Sequence, residues 1–194
     1  MSTATRVPLA AAEATSLELL AVLTLGALRA EVAGSIRRRM PSVGDIELVA
    51  VPRVHTETHR EGLFEERSID VDEFQVVIDS LLLDGTLAQH PTDPKRGPRY
   101  SKLLHVASGL QVDLFSARPQ TFGLILAIRT GPANYSRWLV TEARARGHHV
   151  AEGELHVGAQ GCSPYAACEV VPTPEEADVF KALTLFHPIP EQRA

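Results

Sequence analysis

The segment GDIELVAV, residues 44–51, decides the fold because apolar and acidic side chains alternate along it. In a β-strand, successive side chains point to opposite faces. One face therefore carries the apolar residues Ile46, Leu48 and Ala50. Asp45 and Glu47 share the other face, with Cα atoms roughly 6–7 Å apart. The pattern predicts a strand that buries its apolar face, presents two carboxylates together and ends at Pro52.

The regions around this strand predict a layered arrangement of helices and strands. Residues 10–32 are rich in Ala and Leu and predict one long, largely buried helix. Residues 74–82 predict a second helix, because their apolar side chains recur at helical spacing. Residues 100–106 and 110–115 predict the two strands of a hairpin. Asp113 lies on the polar face of the second of these strands, so it is expected beside the first two carboxylates.

The remaining segments predict a smaller mixed unit. Residues 53–68 are charged and predict either a loop or an extension without a defined place in the fold. The sequence Thr173-Pro174-Glu175-Glu176 predicts a capping box that begins the last helix. The other predicted elements are helices over 122–128, 133–146 and 175–185, and short strands within 148–171.

Together these elements predict an α+β fold in two parts. Residues 1–118 are expected to form a mixed or antiparallel sheet with helices on one face. Residues 119–194 are expected to form a small α/β unit, and the cleft between the two parts is the default position for a site.

The composition narrows the class of protein. The chain has 194 residues, of which 44% are hydrophobic and 22% charged, which excludes disordered and coiled-coil classes. A net charge of −5 argues against tight, sequence-independent binding of nucleic acid. No signal peptide or membrane span is expected, because the apolar run at 17–28 is short and interrupted. With only Cys162 and Cys168, free buried thiols are favoured over a zinc site.

Three features of the sequence point to the same chemistry. Gly34-Ser35-Ile36-Arg37-Arg38 offers backbone amides, a hydroxyl and guanidinium groups that suit a phosphate. Asp45 and Glu47 offer hard oxygen ligands that suit Mg²⁺ together with phosphate oxygens. Asp113 adds a third carboxylate on a neighbouring strand. Such a set can hold two metal ions for an in-line displacement at phosphorus.

These motifs resemble the nucleotidyltransferase superfamily, and specifically the family X DNA polymerases. The resemblance covers nearly the whole chain and is carried by six segments: Gly34-Ser-Ile-Arg-Arg, Gly44-Asp-Ile-Glu, Gln111-Val-Asp-Leu-Phe, Thr130-Gly131, Thr173-Pro-Glu-Glu-Ala-Asp and Ile189-Pro-Glu-Gln-Arg. It implies a palm domain over 1–118 and a thumb-like domain over 119–194. The helix-hairpin-helix DNA grips of the larger family members are missing.

The resemblance also implies roles for individual residues. It implies that Asp45, Glu47 and Asp113 are the catalytic metal ligands, holding Mg²⁺ or Mn²⁺. The residues implied to bind the nucleotide are Gly34, Ser35, Arg38, Gly44, Thr130 and Gly131. The implied reaction adds a nucleotide from a dNTP or NTP to a DNA 3′-hydroxyl, by gap filling or untemplated addition. The primer end is expected to bind weakly. The resemblance further implies a cytoplasmic, nucleoid-associated protein of a prokaryote or virus, with no membrane partner.

The chain departs from the family pattern at four places. Glu47 stands where the family has Asp, which keeps the charge and adds one methylene. Ile128 and Arg129 replace an aromatic pair that contacts the sugar, so we expect ribonucleotides to be accepted better than in the family at large. Pro132 replaces a small polar residue, and Gln111 replaces an arginine.

Two other functions remain open from the sequence. In the first, the acceptor is instead an RNA end, a small molecule or a protein hydroxyl, which the acidic balance of the chain would suit. Alternatively, the chain is a non-catalytic nucleotide-binding module. Tyr135 and Trp138 suit base stacking as well as a core position, and the core position is favoured.

Overall fold

The computed structural model describes residues 5–61, 65–158 and 168–193. The helices are α1 (Leu9–Leu23), α2 (Gly34–Arg37), α3 (Glu73–Leu83), α4 (Phe122–Thr130), α5 (Ala133–Ala145) and α6 (Glu176–Ala182). The strands of the first part are β1 (Val7–Pro8), β2 (Ala27–Val32), β3 (Ser42–Val43), β4 (Asp45–Pro52), β5 (Val54–Glu61), β6 (Glu65–Asp72), β7 (Leu87–Gln89), β8 (Lys95–Arg96), β9 (Tyr100–His105) and β10 (Gln111–Ser116). The remaining strands are β11 (His148–Ala151), β12 (Glu154–Val157) and β13 (Val170–Val171).

The main sheet has the order β2-β4-β10-β9-β7, with β8 also paired to β9. β4 and β10 run parallel, whereas the other pairs of this sheet are antiparallel. The molecule is therefore a mixed α+β structure, as the sequence predicts. α1 and α3 cover one face of the sheet and bury the apolar side of β4, which includes Ile46 and Leu48, both at most 1% exposed.

The long helix predicted over 10–32 is wrong in its last part. α1 ends at Leu23, a short 3₁₀ turn follows, and residues 27–32 form the edge strand β2. Gly26 explains the break, because a Cβ at this position would lie 2.5 Å from the carbonyl oxygen of Glu73. The start of α3 lies so close to position 26 that only a glycine fits there. The chain leaves the helical conformation of α1 just before this contact.

The segment 53–68, expected to be a loop, is part of a long hairpin instead. β5 and β6 pair antiparallel from Val54↔Asp72 to Glu61↔Glu65. The side chains of residues 54–60 and 67–70 are exposed and alternate between the two faces of this hairpin. A strand with solvent on both faces carries no apolar alternation, so its sequence resembles that of a loop.

The second half of the chain packs against the opposite face of the sheet. Phe122 and Leu126 of α4 lie on Val49 and Phe115 of the sheet in one buried cluster. A separate cluster joins α4, α5, α6 and β12. The last helix is shorter than predicted, and its capping box uses Glu175 and Asp178 rather than Thr173 and Glu176. The predicted domain boundary at 118 and 119 immediately precedes the turn Pro119–Thr121 and stays a prediction.

Three further expectations meet mixed outcomes. Tyr135 is buried as predicted, but Trp138 is 40% exposed and packs against it with ring centroids 5.1 Å apart. Cys168 is disulfide-bonded, so the expected free thiol is wrong at this position, while Cys162 lies outside the described residues. Leu9–Gly26 is long and apolar enough to cross a membrane, a test that buried core helices also pass.

Candidate active site

The structure brings the three predicted carboxylates together on the face of the sheet that α4 covers only in part. β4 and β10 are parallel neighbours, and their register places Asp113 opposite Glu47 and Gln111 opposite Asp45. Since side chains directly opposite in adjacent strands share a face, all three acids point to the same side. The apolar end of this face lies under α4, and the acidic end opens into a cleft of about 450 Å³.

Mutual repulsion and burial disfavour the surplus negative charge that this cluster carries when all three acids are ionised. Burial, together with the charges of Asp45 and Asp113, raises the pKa of Glu47 to about 8. Burial and the charge of Asp113 also raise the pKa of Asp45, against the attraction of Arg6 and Arg38. A bound cation would relieve both effects, because an opposite charge favours the ionised carboxylate.

Two side chains hold Asp113 in place. The hydroxyl of Tyr100 donates to Oδ1 of Asp113 at 2.7 Å, and the side-chain amide of Gln111 donates to Oδ2 at 2.8 Å. Tyr100 in turn stacks on Phe115 with ring centroids 4.9 Å apart. The sequence analysis did not find the role of Tyr100, although the alternation in β9 does place it on the face of Asp113.

Gly34 and Ser35 lie directly above the carboxylates. Gly34 has a φ of +61°, and a Cβ there would lie 2.0 Å from Oε2 of Glu47. The longer side chain of Glu47 therefore reaches into space that only a glycine leaves free. Oγ of Ser35 is buried and has no hydrogen-bond partner among the described residues. A buried hydroxyl without a partner is costly, so this atom is ready for a ligand such as a phosphate oxygen.

Arg38 and Thr130 are in direct contact across the cleft. Arg38 donates to the carbonyl oxygen of Thr130, and Arg37 donates to its hydroxyl at 2.7 Å. Burial lowers the pKa of Arg38, against the attraction of Glu47 and Asp45. Arg38 lines the cleft as predicted, whereas Thr130 is fully buried and has both of its polar groups engaged.

The two remaining predicted glycines have different positions. Gly131 lines the cleft, and a Cβ there would lie 2.3 Å from the ring of Tyr135, so the residue must stay small. Gly44 precedes Asp45 but does not line the cleft, and its nearest neighbour is Arg6. The structure therefore supports a direct ligand-facing position for Gly131 and not for Gly44.

Arg129 is a site residue that the sequence analysis named only as a departure from the family pattern. Its guanidinium lies 3.9 Å from the ring centroid of Phe115, and its charge opposes the rise in the pKa of Glu47. It lines both the acidic cleft and a second cavity of about 930 Å³. That cavity begins at the Tyr100–Phe115 stack, and Arg99 and Arg118 line it further out.

The described residues contain no group of three or more His, Cys, Asp or Glu side chains that is arranged to hold a metal ion. Both carboxylate oxygens of Asp113 accept hydrogen bonds from other side chains. The donor chemistry nevertheless fits a hard divalent cation, since all three groups are carboxylates on the same face of two neighbouring strands.

Comparison with known proteins gives no relative: no protein-family model matches the chain, and no curated protein matches it.

Proposed function

We propose that this protein is a metal-dependent nucleotidyltransferase with a palm and thumb similar to those of a minimal family X DNA polymerase. One observation carries the proposal: Asp45 and Glu47 line a cleft together with Ser35, Arg38 and Gly131, and Asp113 lies beside Glu47 on the neighbouring strand. The acids suit metal ions, and a free hydroxyl and a cation in the same cleft suit phosphate oxygens.

The reaction joins an acceptor hydroxyl to the α-phosphorus of a nucleoside triphosphate. The new bond forms between the acceptor oxygen and phosphorus, the bond to the bridging oxygen breaks, and pyrophosphate leaves. Asp45, Glu47 and Asp113 would hold Mg²⁺ or Mn²⁺, which lowers the pKa of the attacking hydroxyl and stabilises charge on the transferred phosphoryl group. The chain's own groups orient the reactants around this point.

The side chains around the cleft suit separate tasks. Ser35 and Arg38 bind phosphate oxygens on one side. Asp113, held by Tyr100 and Gln111, would accept the proton of the acceptor hydroxyl. Arg129 lies between the cleft and the larger cavity, where a second strand or another acceptor can approach.

The test is extension of a labelled DNA primer with single dNTPs or rNTPs and Mg²⁺ or Mn²⁺. Single-stranded, recessed and one-nucleotide-gapped substrates separate untemplated addition from gap filling. Asp45→Ala should abolish extension, and Glu175→Gln serves as the control because Glu175 pairs with Arg29 outside the cleft. Efficient use of rNTPs would agree with Arg129 at the sugar position, whereas strict use of dNTPs would contradict that expectation.

A second candidate keeps the chemistry and changes the acceptor to a small molecule, an RNA end or a protein hydroxyl. The specific observation in its favour is charge. The chain carries −5 overall, and Arg37, which precedes the cleft residue Arg38, is engaged by Glu176. A DNA-extending enzyme should lose DNA affinity steeply as salt rises, with a slope of log K set by the phosphates it contacts. A flat salt dependence, together with transfer to another hydroxyl, would favour the second candidate.

A further inference from the structure

The β5–β6 hairpin is the element of the fold that the proposed reaction does not use. Its strands are eight residues each and pair with each other, and neither pairs with another strand in the described part of the chain. Val54 and Ile69 are 54% and 42% exposed. An isolated two-stranded hairpin is marginally stable in water, and its outer edges offer unpaired N–H and C=O groups. A further strand is therefore the natural addition to this element.

The charge pattern of β5 indicates which strand this is. His55, Glu57 and His59 lie on one face of the hairpin, because they are two residues apart along the strand. Glu57 contacts both imidazoles, at 3.1 Å from His55 and 3.2 Å from His59. Imidazole and carboxylate side chains thus alternate along the edge of β5.

We propose that β5 pairs antiparallel with β5 of a second copy of this chain, about a two-fold axis through Thr58. This register places Glu57 of each copy opposite His59 of the other, and Thr58 opposite Thr58. It aligns residues 55–61 of one copy with residues 61–55 of the other. The result is a four-stranded antiparallel sheet shared by two chains, which is an isologous interface.

Other registers that keep the same faces aligned are less favourable. An axis through Glu57 places that carboxylate against its own copy, and it places His55 against His59. An axis through His59 places that imidazole against its own copy. Like charges directly opposite across strands are destabilising, and opposite charges are stabilising. An axis through Thr56 matches the charges but aligns only residues 54–58.

The same charges disfavour a nucleic acid as the occupant. Residues 54–72 contain six Asp and Glu residues and only two Arg, so the hairpin carries an acidic surplus that repels phosphates. The partner must complement the alternating imidazole and carboxylate side chains of β5 rather than a uniform charge. A second copy of β5 in antiparallel orientation provides this complement.

The experiment measures association by sedimentation equilibrium of the full chain from micromolar to millimolar concentrations. The variants are Glu57→Lys, His59→Glu and the double substitution. Glu57→Lys removes the carboxylate that faces each imidazole, and His59→Glu sets two carboxylates face to face, so each single change should raise the dimer Kd about tenfold. The double variant again sets opposite charges face to face and should restore the Kd. Asp70→Lys makes the same charge change as Glu57→Lys on β6 and should leave the Kd unchanged.

The possible results separate clearly. Weakening by both single variants with restoration in the double variant supports the register on Thr58. A wild-type chain that stays monomeric throughout the range overturns the proposal. So does a dimer that neither single variant weakens, or one that the double variant fails to restore. All changes lie on the exposed hairpin, and circular dichroism of each variant checks that the fold is retained.

Discussion

Two glutamates of this molecule, Glu47 and Glu176, are largely shielded from solvent, but their pKa values shift in opposite directions. Glu176 is 7% exposed, and burial alone would raise its pKa. Hydrogen bonds from Arg193 and Arg37 outweigh burial, so the pKa of Glu176 lies below its ordinary value. Glu47 has two acidic neighbours instead, and its pKa rises to about 8.

This difference separates Glu176, whose role is structural, from Glu47, for which we propose a role in function. The fold supplies both counter-charges of Glu176, from α2 and from the C-terminal segment, and so joins the two halves of the chain. At Glu47 the nearest groups are Asp45 and Asp113, which add negative charge. The chain supplies the counter-charges that keep Glu176 ionised, whereas Glu47 must take up a proton or bind a cation from solution.

Asp45→Ala gives the largest expected effect. It removes a proposed metal ligand from the surplus-charge cluster, so nucleotidyl transfer should fall about 10³-fold or more, the loss of several kcal/mol of metal catalysis. The free energy of unfolding without metal should not fall, because one repulsive charge disappears. Steady-state kinetics and urea unfolding measure the two quantities. An Asp45→Ala chain that is inactive because it is unfolded would contradict this division of roles.

Glu176→Gln should act in the opposite way and mainly on stability. It leaves Arg37 and Arg193 without their carboxylate, and breaking a buried ion pair costs about 3 kcal/mol or more. Glu175→Gln is the matched control, because Glu175 is exposed and pairs with Arg29, so it should cost about 1 kcal/mol or less. Equal losses in the two variants, measured by urea unfolding, would show that burial of Glu176 does not matter.

The carboxylate cluster could be predicted from the sequence because its signal is local. Alternation over residues 44–51 and 110–115 gives each acid its face, and adjacent parallel strands then bring Asp113 opposite Glu47. The hydrogen bond from the hydroxyl of Tyr100 to Asp113 could not be predicted, because it depends on which strands are neighbours in the sheet.

The counter-charges of Glu176 could not be predicted for the same reason. Arg37 is 139 residues away along the chain, and no spacing rule connects two such positions. The edge strand β2 was also missed, because Ala and Leu dominate residues 27–32 as they do α1, and only the contact of Gly26 with α3 separates the two elements.

Opposite pH dependences should follow from the two glutamates in metal-free protein. The pKa of Glu176 is lowered, so its stabilisation is complete above its ordinary value of 4.5 and is lost as pH falls below it. The folded pKa of Glu47 is raised from 4.5 to about 8, so folded protein holds a proton that the unfolded chain releases between these pH values. Stability should then fall as pH rises through this window, by up to about 1.4 kcal/mol per pH unit.

Urea unfolding in EDTA at several pH values measures both dependences. Glu47→Gln should remove the decline between pH 6 and pH 8, and Glu176→Gln should remove part of the decline in acid. A wild-type stability that rises from pH 6 to pH 8 would contradict the surplus charge assigned to Glu47.

Stabilisation by added Mg²⁺ is the smallest expected effect and the most direct test of the comparison. At about ten times its Kd, a ligand that binds only the folded chain adds about 1.4 kcal/mol to the free energy of unfolding. For a chain of this size that corresponds to a rise of about 3–6 °C in Tm. The rise should grow from pH 6 to pH 8, because metal binding requires Glu47 without its proton. It should vanish in Asp45→Ala and persist in Glu175→Gln. A rise that persists in Asp45→Ala would place the cation elsewhere and leave the charge of Glu47 without a partner.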